Sequence, residues 1–199
     1  MSQISKDPIS AHLELSRAAV ERAALDVHLL DSARKIAEAI AKALRSGKKL
    51  LIAGNGGSAA DAQHIAAEIV GRYKKDRPAY AAIALTTDTS ALTAIGNDYG
   101  FEQVFARQVE GLGQRGDVLL AITTSGRSPN ILAALKSAQQ QGLVTVGFTG
   151  SNGAGLASCC DHLLVVPSED TAVIQQLHMA FAHGICHVIE QTLTQSGRT

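Results

Sequence analysis

The sequence contains no tryptophan, and aromatic residues make up only 4% of it. Stacking platforms for nucleobases and sugar rings are built from such side chains, so neither is expected here. An excess of one charge is also missing: 18 basic residues stand against 18 acidic ones, a formal net charge of zero. The chain as a whole therefore has no long-range attraction for nucleic acid or an anionic membrane, and neither is expected as a partner. Three cysteines, Cys159, Cys160 and Cys186, provide neither an even disulfide framework nor a metal-binding spacing. Reduced thiols in a cytoplasmic protein are the expectation. The opening stretch MSQISKDPIS is polar, no secretory signal follows it, and no apolar run approaches the roughly 20 residues of a membrane span.

What is present is a chain of 199 residues, 46% hydrophobic, 18% charged and with 18 glycines. Its mean hydropathy of +0.09 excludes a disordered or low-complexity protein. The length suits one well-buried domain over 1–199, without repeat or linker. From about Ser10 to Arg45, Leu13, Ala18, Leu25, Leu29, Ile36, Ile40 and Leu44 recur at helical spacing, with an interruption expected near His28 to Asp31. Five short unalternating apolar runs follow: LLIAG after Lys49, Ala81 to Leu85, Val118 to Thr123, Val144 to Phe148, and His162 to Val166. Helical stretches separate them around 59–72, 90–95, 101–110 and 129–141, and a last one runs from Ala172 to about Thr194. Such strands belong to a parallel sheet covered on both faces. The fold expected is α/β, a three-layer sandwich on a five-stranded parallel sheet with an added N-terminal helical pair over about 10–46. That pair either covers one face of the sheet or packs against another subunit.

Ligands of open parallel sheets bind beyond the carboxyl ends of the strands. After the first strand comes Gly54-Asn55-Gly56-Gly57-Ser58-Ala59-Ala60-Asp61, leading directly into a helix. Small residues let the backbone approach a ligand, and a helix start offers N–H groups to an anion. The spacing is neither a dinucleotide fingerprint nor a P-loop. After the third strand comes Thr123-Thr124-Ser125-Gly126-Arg127-Ser128-Pro129-Asn130. Pro129 suits a first helical turn and Ser128 an N-cap, which leaves Thr123, Thr124 and Ser125 unexplained by capping. Hydroxyls beside helix-start amides make a neutral phosphate cradle. Thr86-Thr87-Asp88 and Gly96-Asn97-Asp98-Tyr99-Gly100 read as further polar loops suited to sugar hydroxyls, although Asp98 alone is also explained by an Asx turn.

His64 and Glu68 are four residues apart on the helix after the glycine loop, hence on one face, among apolar neighbours that argue against a largely solvated helix. The last helix carries Gln175, His178, His183 and His187 among apolar residues. Spacing alone pairs His183 equally with Gln175 or with His187. If His64, Glu68 and His183 converge, two imidazoles and a carboxylate suit Zn2+, with glutamine an uncommon fourth ligand. Glu68 and His183 could equally form a proton-transfer pair.

Taken jointly, GNGGSAADAQH at 54–64 with Glu68, LTTDTS at 85–90, GNDYGF at 96–101, TSGRSPN at 124–130 and the IQxLHxxxxH pattern ending at His183 resemble the sedoheptulose-7-phosphate (phosphoheptose) isomerases of the sugar-isomerase (SIS) fold group. The resemblance covers essentially the whole chain. It implies aldose–ketose isomerisation of sedoheptulose 7-phosphate to glycero-manno-heptose 7-phosphate, the first step toward heptose for surface polysaccharide. It further implies a homotetramer with sites at subunit interfaces and one Zn2+ per subunit. Carried over by position, the metal ligands would be His64, Glu68, Gln175 and His183, and the acid–base pair Glu68 and His183. Substrate contacts would fall on Asn55, Gly56, Gly57, Ser58, Glu68, Arg72, Asn97, Asp98, Thr123, Thr124, Ser125, Ser128 and Gln175. One departure stands out: where the family commonly places Arg and Glu around Ile-Gln, this chain has Val173 and Gln176. Relatives that act only as sugar-phosphate sensors or partners of a replication initiator share the fold, and are expected to lack part of the His/Glu/Gln/His set retained here. No residue excludes a different phosphosugar as substrate.

Overall fold

The computed structural model describes residues 7–195. The five apolar runs form one parallel sheet of β1 (Leu50–Gly54), β2 (Ala82–Ala84), β3 (Val118–Ile122), β4 (Val144–Gly150) and β5 (His162–Val166), in the order β2-β1-β3-β4-β5. Because side chains alternate across a strand, the central strands β1 and β3 feed two cores. Leu50, Ile52, Val118, Leu120, Val146 and Phe148 face α2 (Val27–Arg45), α3 (Gly57–Val70) and α7 (Thr171–Gln195). Leu51, Ala53, Leu119 and Ala121 face α5 (Ala106–Leu112) and α6 (Pro129–Gln141) on the other side. The expected three layers and five parallel strands are therefore present.

The N-terminal pair is α1 (Pro8–Leu25) and α2, and the break between them falls at Asp26 rather than at His28 to Asp31. The Asp26 carboxylate accepts the backbone N–H groups of His28 and Leu29, so one capping side chain starts α2 without disturbing the apolar period on which the sequence reading relied. α1 buries only Ala19 and Ala23 and leaves Ile9, Leu13, Val20 and Leu25 exposed. Two further expectations shift. α4 (Thr89–Tyr99) continues through Gly96, Asn97 and Asp98 until Gly100, at φ +87°, ends it, so most of the loop expected there is helix. The helix expected over 101–110 is a 3-10 turn at Phe101–Gln103 followed by α5. Among the described residues no helix is long and apolar enough to cross a membrane.

From β1 the chain crosses to β2 on one side and later returns as β3 on the other. The segments leaving the carboxyl ends of β1 and β3 therefore diverge, and a crevice opens between them, the usual ligand position in open α/β sheets.

Candidate active site

That crevice holds a cavity of about 260 Å3, lined by Asn55, Gly56, Gly57 and Ser58 after β1, by Thr123, Thr124 and Ser128 after β3, and by Thr171 and Gln175 at the start of α7. The Asn55 and Asn130 side-chain amides exchange two hydrogen bonds of 2.9 Å and clasp the two loops together. Gly56, at φ +56°, takes a backbone turn that L side chains rarely adopt. A β-carbon on Gly57 would lie 2.5 Å from Gln175 Nε2, so the Gln175 amide of α7 sits directly against the start of α3 and would have to shift for any larger residue there.

Aspartate side chains accept backbone N–H groups at the starts of α1, α2, α4 and α7. The two helices that open on the cavity, α3 and α6, have no side-chain cap, a property they share with the seven-residue α5. Ser128 occupies the N-cap position of α6, but its Oγ lies 3.2 Å from Thr123 Oγ1 instead of on the helix start. Two positive helix ends without a carboxylate, facing several hydroxyls, are chemically suited to an anion without help from lysine or arginine. A second hollow of about 150 Å3 adjoins it, sharing Thr124 and Thr171 and adding Ser125, Arg127 and Glu169.

Further along α3 and α7, His64, Glu68 and His183 bring their ligand atoms within 4.8 Å of one another. His64 Nε2 lies 3.1 Å from Glu68 Oε1 and 3.3 Å from His183 Nε2. Two nitrogens each about 2.0–2.1 Å from a tetrahedral zinc would be about 3.3 Å apart, so the donor set fits such an ion in both chemistry and spacing. The His64 side chain is 49% exposed and that of Glu68 19%, which leaves the group more open than the apolar neighbours of His64 suggest in the sequence. His187, the alternative partner for His183, pairs instead with Gln191 at 3.0 Å.

The SIS domain family model matches residues 17–150. A phosphoheptose isomerase of Bradyrhizobium sp. (strain ORS 278) is 72% identical over 190 residues, 96% of each chain, and one from Campylobacter jejuni is 58% identical over 158 residues, 79% of this chain and 85% of that one. The chain belongs to the phosphoheptose isomerase family of SIS-domain proteins. Solved phosphoheptose isomerases agree in three dimensions. The structure from Francisella tularensis gives a TM-score of 0.89 at 38% identity, covering 96% of this chain and 100% of its own. That from Neisseria gonorrhoeae gives 0.86 at 44%, covering 92% and 97%.

Not every residue marked by the family resemblance lines the cavity. Gln175 lies there, but two turns before His183 on α7, a rise of about 12 Å, and against Gly57 rather than in the His/Glu/His group. Asn97 and Asp98 are exposed in the last turn of α4, where the Asn97 amide donates to the Asp98 carboxylate at 2.8 Å. Arg72 is exposed beyond the end of α3 and reaches the Lys74 carbonyl at 3.5 Å. Of the two departures from the family pattern, Val173 is buried in the core and Gln176 reaches His12 of α1 at 3.1 Å.

Several polar groups near the site carry no role in the sequence reading. Thr171 lines the cavity from the first residue of α7. Asp61, one turn before His64, has an unpartnered buried Oδ2, and burial raises its carboxyl above the ordinary range. His178 is 1% exposed, and burial pushes its imidazole down to about 4, opposed only in part by a contact with the Thr149 backbone. Tyr73 stacks on His183, with ring centroids 5.8 Å apart. Only the tertiary fold brings Tyr73 there, since 110 residues separate it from His183.

Proposed function

We propose that this aldose–ketose isomerase interconverts D-sedoheptulose 7-phosphate and D-glycero-D-manno-heptose 7-phosphate through an enediol(ate), as the first step of heptose supply for surface polysaccharide such as lipopolysaccharide or capsule. The observation that carries this reading is a converging carboxylate and imidazole pair on α3 and α7, the two helices that also line a hydroxyl-rich cavity at the uncapped starts of α3 and α6. The phosphate binds at the starts of α3 and α6, among Asn55, Gly56, Gly57, Ser58, Thr123, Thr124, Ser125 and Ser128.

The reaction removes a proton from C1 and delivers one to C2, while O1 loses a proton and O2 gains one. Glu68 carries the carbon-bound proton and His183 the oxygen-bound one. General acid–base groups of this kind contribute about 10²–10⁴-fold. Zn2+, one per subunit, is the proposed cofactor, held by His64, Glu68 and His183, whereas Gln175, placed against Gly57, is proposed as a substrate contact. When bound, it supplies Lewis-acid polarisation of the carbonyl. Arg72, Asn97 and Asp98 are proposed as substrate contacts within an assembled homotetramer whose sites lie at subunit interfaces. The exposed apolar row of α1 and the half-open His64 support such an assembly. The protein is proposed to be cytoplasmic and a single SIS domain over 1–199, with helices 10–46 as its oligomerisation element.

Retention of the His/Glu/His group disfavours the alternative, a non-catalytic sugar-phosphate sensor or replication-initiator partner. Folded wild-type protein should convert sedoheptulose 7-phosphate, whereas a sensor would bind it without turnover. Replacing both Ser125 and Ser128 by Ala should raise KM at least about tenfold with kcat little changed, because hydrogen bonds to a charged group are worth about 1.5–3 kcal/mol each. An unchanged KM would remove phosphate from the loop after β3.

A further inference from the structure

Tyr73 lies in the connection between α3 and β2, a stretch with no regular structure of its own over 72–81. Two buried charged side chains hold this connection. The Glu190 carboxylate, on α7, accepts the backbone N–H groups of Tyr73 at 3.0 Å, Lys74 at 3.0 Å and Lys75 at 2.9 Å. The Arg77 guanidinium, 3.4 Å from that carboxylate, donates to the carbonyls of Glu68 at 2.7 Å and Ile69 at 2.9 Å, closing the last turn of α3. Both side chains are nearly fully buried, 3% exposed for Arg77 and 2% for Glu190. A buried pair with this many hydrogen bonds fixes geometry, since every bond lost leaves a charged group unsatisfied in a dry site.

The consequence falls on Tyr73. With its N–H bound to Glu190, its ring stacks on the His183 imidazole at 27° between planes and meets His187, one turn later, edge-on at a centroid distance of 5.9 Å. The Nε2 edge of His183 faces His64 at 3.3 Å. The His183 ring thus contacts both His64 and a tyrosine whose backbone is anchored to the same helix as His183, seven residues further on. The same connection grips the carbonyl of Glu68 through Arg77, so the orientation of one group of the acid–base pair and the backbone position of the other share one support.

We propose that Tyr73 is a positioning residue for His183, held in place by Glu190 and Arg77. It stacks on the imidazole and keeps its ring turned toward His64 and the substrate, without itself touching substrate. This inference rests on the reading of His183 as an acid–base group. The stacking surface is the ring and not the hydroxyl, so Tyr73→Phe should preserve the effect and Tyr73→Ala should remove it.

The test compares wild type, Tyr73→Phe and Tyr73→Ala as assembled protein, by steady-state kinetics and by the His183 ring-proton resonances at one fixed pH. Expected is a fall in kcat of about ten- to a hundredfold in Tyr73→Ala with KM within about twofold, as for small misplacements of a reacting group. Tyr73→Phe should keep kcat within about twofold of wild type. The His183 resonances should move in Tyr73→Ala and stay in Tyr73→Phe. If Tyr73→Ala does not fold, Tyr73→Leu, which keeps apolar bulk without a ring, replaces it in the same comparison. A kcat within twofold of wild type in the variant lacking the ring, or loss of kcat in Tyr73→Phe equal to that in Tyr73→Ala, overturns the proposal. Because the resonances are read without turnover, inactivity of the wild type would refute the catalytic reading while leaving the orientation of His183 measured. Resonances unmoved in Tyr73→Ala would overturn the positioning role even in an active enzyme.

Discussion

Glu68→Gln is expected to lower kcat by about 10²–10⁴-fold while sugar-phosphate binding stays close to that of the wild type. The substitution keeps the size of the side chain and a hydrogen-bonding oxygen, but an amide cannot take a proton from carbon at neutral pH. The phosphate cradle lies at the starts of α3 and α6, about three helical turns from Glu68 along α3, and does not depend on this carboxylate. Glu68 Oε1 sits 3.1 Å from His64 Nε2, so the same change also weakens the proposed zinc site. Zinc content is therefore measured beside the rate. A variant that retains metal and loses turnover isolates the proton transfer, and a near-normal kcat would contradict the role given to Glu68.

The second large effect concerns stability in acid. His178 is enclosed beside Phe148, with ring centroids 5.6 Å apart, and burial holds its imidazole at about 4 against an ordinary 6.5. Above pH 6.5 the ring is neutral in both folded and unfolded chains and contributes no pH dependence. As the pH falls from 6.5 toward 4 the unfolded chain binds a proton that the folded chain refuses, and stability drops. A displacement of this size corresponds to about 3 kcal/mol across that window. His178→Leu removes the titrating ring from this buried site. Urea unfolding at pH 7.5 and pH 4.5 should show the variant losing about 3 kcal/mol less than the wild type between the two. Equal losses would mean that the buried imidazole finds a partner or water when protonated.

Much of this site is legible in the sequence because its signals are local. Apolar runs bounded by Gly54 and Thr123 announce buried parallel strands, and the glycine and hydroxyl residues after them announce the crevice. The spacing of His64 and Glu68 puts both on one helix face, and His183 stands out on an apolar helix. What spacing left open was its partner: His187 turns to Gln191, and His183 meets His64. The residues that the sequence does not reveal act through tertiary contacts. Tyr73 and Arg77 lie in a connection without periodicity, and their meaning depends on Glu190 more than a hundred residues later. The break between the first two helices is legible, but its place at Asp26, a little before His28 to Asp31, is not, because the apolar period runs on through a capped junction. Asn97 and Asp98 read as loop because Gly96 and Gly100 flank them, whereas the helix tolerates the first glycine and stops only at the second. Ser128 illustrates the reverse: its N-cap position was readable, but the turning of its hydroxyl to Thr123 and the cavity was not.

The central claim is isomerase chemistry at a His/Glu/His metal group. The most direct measurement incubates the purified protein with sedoheptulose 7-phosphate after chelation, with and without restored zinc, and follows the aldose product by NMR. The account predicts conversion that falls when the metal is stripped and returns when zinc is added. No conversion by the folded protein in either condition would contradict it.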